Sequence, residues 1–309
     1  MSKRHSSPFK KSVLASLVIV SCLAAFIEIA DTPHKLHVSP TDLERDPKPI
    51  SKPHRFADIT ELEELAMRTN DPWAQYNIGE RYLVGWDVAK NYAKAIEWLT
   101  LAAHQGYAPA QYRLGAIYFY GDVVNQNYRQ ALKWLTLAGE QNYAQAQYQL
   151  GLLYYFGIYQ YDTHYYGKIY EVDKKAAFKW FSRAAEQQLA PALFYVGLMQ
   201  YNGDSTTRNL FEAYKNIKQA ADRGNDQAQY HLAIMYMTGV GAKFDYSAAM
   251  QWFKKSAEQN NSYAMLEIAN FYLNGWSVPK DENQAQIWLL KAASFGNKQA
   301  EKLLLPGAD

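Results

Sequence analysis

A fourteen-residue stretch that returns at a fixed interval constrains this chain more than any other feature. Its clearest copy runs from Ala144 to Gly157, with Ala146, Tyr148, Leu150, Gly151 and Tyr154 as its fixed points; close copies run from Ala108 to Gly121 and from Asp226 to Gly239. The closing glycine appears at Gly85, Gly121, Gly157, Gly203, Gly239 and Gly275, every 36 residues apart from one interval of 46. A tryptophan keeps the same register at Trp98, Trp134, Trp180, Trp252 and Trp288, with Asn216 in the fourth copy. Self-similarity at such a period is the mark of a solenoid, in which each unit buries its apolar face only by stacking on its neighbours.

Each unit reads as two helices. Ala146, Leu150 and Tyr154 recur at i, i+4 and i+8 in the first half. Ala95, Trp98, Leu99 and Ala102 recur at i, i+3, i+4 and i+7 in the second. The closing glycine suits a left-handed cap, and a small pair such as Ala102-Ala103 or Ala138-Gly139 near the end of each second half allows close approach. Gly79, Gly115, Gly151 and Gly197 lie mid-helix, at a cost of about 1 kcal/mol each against alanine. That cost implies close contact, expected with the large Trp or Tyr of the paired helix. Asp58 and Glu61 have the spacing of a capping box, so a lone helix is expected to cover the start of the array. Residues 298–305 restart a first helix as a terminal cap, and the ten extra residues of the long interval fall in a turn between Gly157 and Ala177.

Composition narrows the function. A net charge of +2 with 20% charged residues and no basic stripe argues against a nucleic-acid footprint. Cys22 is the only cysteine, so neither an intrachain disulfide nor a thiolate metal site can form. The metalloprotease, nucleophile-elbow, phosphate-loop and dithiol motifs are all missing. His104, His164 and His231 fall in different units without ligand spacing, and Asp162 with His164 reads as a solvated loop rather than a metal site. The chain is therefore read as a non-enzyme with no cofactor.

The N-terminus carries an address. Lys3, Arg4, Lys10 and Lys11 precede an uncharged, mainly apolar run from Ser12 to Ile27. This is a cleaved export signal or a retained anchor, and in either case everything after residue 30 is translocated. Ile19-Val20-Ser21-Cys22 resembles the bacterial lipobox, which makes lipidation at Cys22 a third outcome. Residues 31–55, with Pro33, Pro40, Pro47, Pro49 and Pro53, read as an extended tether to a solenoid spanning 56–309.

The repeated residues resemble the Sel-1-like repeat (SLR) family, relatives of the tetratricopeptide repeats. Ala108, Ala110, Leu114, Gly115, Tyr118, Gly121, Val124, Ala131, Trp134 and Ala138 match its pattern almost throughout. The resemblance implies an all-α, right-handed superhelix of six helix pairs with terminal capping helices, at about 72–107, 108–143, 144–189, 190–225, 226–261 and 262–297. It implies that first helices line a concave groove holding a protein partner. Two columns there are candidate contacts: Tyr112 and Tyr148 in one, which reads first as packing between copies, and Leu83, Phe119, Tyr155, Tyr201 and Met237 in the other, which reads as contact. Tyr159, Tyr161, Tyr165 and Tyr166 of the insertion are further candidates. The expected protein is a monomeric binding module tethered to the membrane on its periplasmic side. The alternative is an immunity protein that neutralises a secreted toxin or lipase, as some SLR proteins are; an envelope hydrolase is disfavoured.

Overall fold

The computed structural model describes residues 58–162 and 165–304. Helix α1 (Ile59–Thr69) precedes six helix pairs. These are α2 (Pro72–Val84) with α3 (Tyr92–His104), α4 (Ala108–Tyr120) with α5 (Tyr128–Glu140), and α6 (Ala144–Phe156) with α7 (Lys174–Glu186). They continue as α8 (Ala190–Asn202) with α9 (Leu210–Asp222), α10 (Asp226–Thr238) with α11 (Tyr246–Ala257), and α12 (Ser262–Asn274) with α13 (Glu282–Ser294). Helix α14 (Lys298–Leu304) follows. The chain divides into two compact units, with the boundary inside α10 after Gln229. In the first unit α2 to α9 pack within their pairs, and each second helix packs on the next first helix; in the second, α12 packs with α11 and α13, and α13 with α14.

The helix ends are set by residues that keep the same period. Asp58 caps α1 by accepting from the Glu61 amide at 3.0 Å. Every second helix starts on an Asn or Asp whose side chain accepts from an amide in the first turn: Asn91, Asn127, Asp173, Asn209, Asp245 and Asp281. This periodic cap is absent from the sequence reading above, although its register is as regular as that of the tryptophans. At the other end of the first helices, Gly85, Gly121, Gly203 and Gly275 take the left-handed cap. Gly157 does not. Its φ of 71° combines with a ψ of 175°, which sends the chain out extended instead of turning it back.

That departure launches the insertion, which is a hairpin rather than a plain turn. Strand β1 (Ile158–Asp162) pairs antiparallel with β2 (Tyr165–Tyr170), with an irregularity at Ile158/Tyr159. Its base leaves the helix pair undisturbed. The Asp173 amide donates to the Tyr154 carbonyl at 2.8 Å, as Asn127 donates to Tyr118 at 2.8 Å and Asn209 to Gln200 at 2.9 Å in units without an insertion.

The mid-helix glycines do face the paired helix, but not its tryptophan or a tyrosine. A Cβ on Gly79, Gly115 or Gly197 would lie 2.7 Å from Leu99, Leu135 or Ile217, and one on Gly151 would strike Phe181. These partners follow the tryptophan column by one position, a rotation of 100° that turns the tryptophan toward the preceding unit. There a Cβ on Gly139 would lie 3.2 Å from Trp180, and the Trp134 ring meets His104 edge-on at 5.2 Å. The small pair thus receives the next copy's indole.

Buried glutamines tie neighbouring copies together. Gln111 is 4% exposed; its Nε2 donates to the Ala103 carbonyl of the copy before at 3.0 Å, and its Oε1 accepts from Gln141 of its own copy at 2.7 Å. Gln147 does the same with Gly139 and Gln187, at 2.9 and 2.8 Å. Where the first-helix glutamine is replaced, by Leu193 or Met265, its partner is replaced too, by Arg223 or Phe295. An amide in the core is tolerated only when both ends are bonded, so the pair is kept or dropped together.

Candidate functional site

The structure places the two expected contact columns largely inside. Leu83, Phe119, Tyr155, Tyr201 and Met237 are 3–9% exposed, and Tyr112 is 3% exposed. Tyr112 meets Tyr143 at 5.3 Å, at the start of the next copy's first helix, while half-buried Tyr148 meets Phe181 at 5.9 Å. Phe119 meets Tyr128 at 5.5 Å. The Tyr155 hydroxyl donates to Asp204 at 3.4 Å, and Asp204 also holds Lys174 at 2.7 Å, so this phenol links the third copy to the turn of the fourth. Tyr112 and Tyr155 thus join copies while Phe119 packs within its own, and the buried members of both columns offer a partner little area. The side chains of Tyr159, Tyr161, Tyr165 and Tyr166 lie outside the described residues, as do His164, Cys22 and the Ser12–Ile27 run.

A different stripe on the first helices is partly exposed in the first two copies. It runs at i, i+4, i+7 and i+11: Trp73, Asn77, Glu80 and Val84 on α2, with Pro109, Arg113, Ala116 and Tyr120 in the same register on α4. Positions set by packing barely change from copy to copy; Ala74, Ala110, Ala146 and Ala192 hold one of them. The stripe's second position changes every time, through Asn77, Arg113, Gln149, Tyr195, His231 and Glu267. Asn77, Gln149, Tyr195, His231 and Glu267 are 1–8% exposed, so of this series only Arg113 is partly open to solvent.

Its rungs differ chemically as well. Arg113 Nε donates to Glu80 Oε1 at 2.8 Å, joining α4 to α2. Gln149 Nε2 donates to the Tyr120 hydroxyl at 3.1 Å, joining α6 to α4. Tyr195 stacks on Phe181 at 4.7 Å and 12°, and meets Phe156 edge-on. Burial pushes the Glu80 carboxyl up, while the Arg113 charge and hydrogen bond pull it down. The surface open to a ligand is Val84, 52% exposed, the Arg113–Glu80 pair with side chains 20% and 26% exposed, and half-buried Trp73, Pro109 and Tyr120.

His231, on the same stripe in α10, is 1% exposed, and burial lowers its pKa from 6.5 to about 3, which keeps the ring neutral in the core. Among the described residues, no group of His, Asp and Glu is placed to hold a metal ion, and no helix is long and apolar enough to cross a membrane.

Comparison with known proteins agrees with this architecture. The Sel1 repeat pattern matches residues 74–107, 108–143, 144–189, 190–225, 226–261 and 262–297. The crystal structure of c5321, a protective antigen of uropathogenic Escherichia coli with an SLR fold, superposes with a TM-score of 0.71 at 32% identity. That match covers 81% of this chain and 51% of c5321, so the chain spans about half the length of that relative. A Sel1 repeat protein from Oxalobacter formigenes superposes with a TM-score of 0.65 at 29% identity, over 76% of this chain and 96% of the other. No curated protein sequence matches. Sel1 repeats are typically protein-interaction scaffolds, and by six consecutive matches this chain belongs to the Sel1 repeat family.

Proposed function

We propose that the protein is a non-enzymatic binding module that holds another protein on the outer side of the cytoplasmic membrane or in the periplasm. The observation that carries this reading is the partly exposed first-helix patch of Val84, the Arg113–Glu80 pair, Trp73, Pro109 and Tyr120, set on an array of six Sel1 repeats. The ion pair and its apolar flanks can engage successive side chains of an extended or helical segment. A patch spread along two helices suits a polypeptide better than a small molecule, which needs its polar groups converging on one point. Support for the location comes from the basic N-terminus followed by the apolar Ser12–Ile27 run and the proline-rich stretch behind it. Retention as an anchor and lipidation at Cys22 both tether the solenoid; the tether, up to ~3.3 Å per residue, lets it reach tens of Å from the bilayer.

The test is cross-linking and affinity capture in the native host, comparing the natural chain with the double variant Val84→Glu/Tyr120→Ser. A specific protein recovered with the first and lost with the second, while helicity stays unchanged, is the expected result. If the variant recovers the same protein equally well, the stripe is not the contact surface. Should the captured protein be a secreted toxin or lipase, the module is an inhibitor. Labelling with a membrane-impermeant reagent on intact cells checks the location, and a chain protected until lysis would remove the periplasmic assignment.

A further inference from the structure

In the first compact unit the fold gathers cations that the sequence scatters. The second helices run parallel, their ends tied by Gln187 with Asn142 at 3.3 Å and by Arg223 with Gln188, so α5, α7 and α9 all start at one edge. The second residue of each is Arg129, Lys175 and Phe211; the sixth is Lys133, Lys179 and Lys215. Residues i and i+4 share one face of a helix, and all six are exposed, Phe211 at 73%. Three neighbouring helices thus present five positive charges around one bare ring. On α3 the same two positions hold Ala93 and Glu97, which confines the cluster to three copies. Of the acids in the turns and first halves, Asp204 holds Lys174 at 2.7 Å, Glu212 lies 3.5 Å from Lys215 and Asp173 caps α7; Asp122 and Glu171 are exposed. Glu140, Glu186 and Asp222 close the three helices at the opposite edge. Ahead of α7, Val172 is 44% exposed. A lone exposed phenylalanine is ordinary, but one set among lysines and arginine beside a second apolar side chain has the make-up of a lipid-surface contact.

We propose that the first halves of α5, α7 and α9 seat on an anionic phospholipid surface, with Phe211 entering the headgroup layer. Charge complementarity is one argument: lipid phosphates attract each Lys or Arg held near them, and five are held here at fixed spacing. The course of the chain is another. Tyr82, near the end of α2, donates to Glu63, near the start of α1, at 2.9 Å, and Gln105 after α3 bonds Asn70 after α1 at 3.4 Å. Helix α1 therefore starts at the edge where α3 and the later second helices start. The apolar Ser12–Ile27 run precedes it by about 30 residues, a reach of up to ~3.3 Å each. A chain anchored through that run brings this edge to the bilayer first. Nucleic acid would use the cations but leave Phe211 and Val172 in water, so a bilayer fits the whole cluster better. The inference rests on the membrane tether proposed above, and it uses no residue of the first-helix patch.

The experiment is fluorescence of the full Cys22→Ser chain reconstituted in vesicles, with an apolar dye on Phe211→Cys or, at the opposite edge, on Glu186→Cys. The vesicles are phosphatidylcholine alone or with about 30% phosphatidylglycerol, and both carry a quencher on the headgroup. With phosphatidylglycerol, the dye at 211 is expected to be quenched at least about threefold more than the dye at 186. Arg129→Gln/Lys175→Gln should reduce this, each lost cation lowering surface residence about fivefold, and ~0.5 M salt should do the same without any substitution. Equal quenching at the two positions, or equal quenching at 211 without phosphatidylglycerol, overturns the proposal while the tether stands. A chain that floats with neither kind of vesicle removes the tether and the proposal together. A dye at 211 that responds to duplex DNA and not to the anionic vesicles overturns the proposal in favour of nucleic acid.

Discussion

At the scale of single residues, the array depends on atoms that are absent as much as on those present. A methyl on Gly115 would lie 2.7 Å from Leu135 Cγ and 3.2 Å from its backbone nitrogen. Overpacking of this kind costs about 1–3 kcal/mol, more than the ~1 kcal/mol alanine gains as a helix former. Gly115→Ala is therefore expected to lower the denaturant midpoint; a rise would mean the helices have slack. His231 makes a second prediction. Its folded pKa is lowered from 6.5 to about 3, so between those values the unfolded chain binds a proton that the folded chain refuses. Stability is thus intact above pH 6.5 and lost as pH falls, by about 2 kcal/mol at pH 5. The difference in unfolding free energy between the natural chain and His231→Leu, followed from pH 7.5 to 4.5, should carry this slope; parallel curves would show that the histidine is protonated in the fold. The periodicity of the glycines was legible in sequence. Their partners were not, because one residue's rotation around a helix decides whether a ring faces its own pair or the neighbouring copy.

At the scale of elements, each helix pair closes through a junction that does not depend on what is inserted in it. The Asp173–Tyr154 hydrogen bond matches those of the shorter turns, so the hairpin is an appendage. Replacing residues 158–172 with the Asp122–Gln126 sequence is expected to leave the melting temperature within a few degrees. A large drop would show that the strands brace the neighbouring copies. The glutamine pairs are the opposite case. Gln111→Leu removes two hydrogen bonds, to Gln141 and to the Ala103 carbonyl, at an expected cost of about 0.5–1.5 kcal/mol each. Gln111→Leu/Gln141→Arg reproduces the pair found as Leu193 and Arg223, and should recover most of that loss in a double-mutant cycle. Without recovery, the shared replacement in the fourth copy has another origin. Helices were readable from apolar spacing, but the insertion read as a turn because its alternating tyrosines give no helical period and a short hairpin carries little pattern of its own.

At the scale of the whole molecule, copies that touch only their neighbours should report damage locally. Leu135→Ala, in the core of the second copy and fully buried, is expected to cost about 2–5 kcal/mol. Hydrogen exchange should then rise most in α4 to α6 and least in α12 and α13. A uniform rise would mean that the array opens as one body. The sequence alone determined the number of copies, the two-helix unit, the lone helix ahead of the array and the absence of familiar catalytic motifs, since all of these are local or periodic in the chain itself. Only tertiary structure decided that Leu83 and Phe119 are buried while Val84 is exposed and Arg113 partly so. Burial is a property of what the neighbouring copies supply, and adjacent residues on one helix look alike until those neighbours are in place.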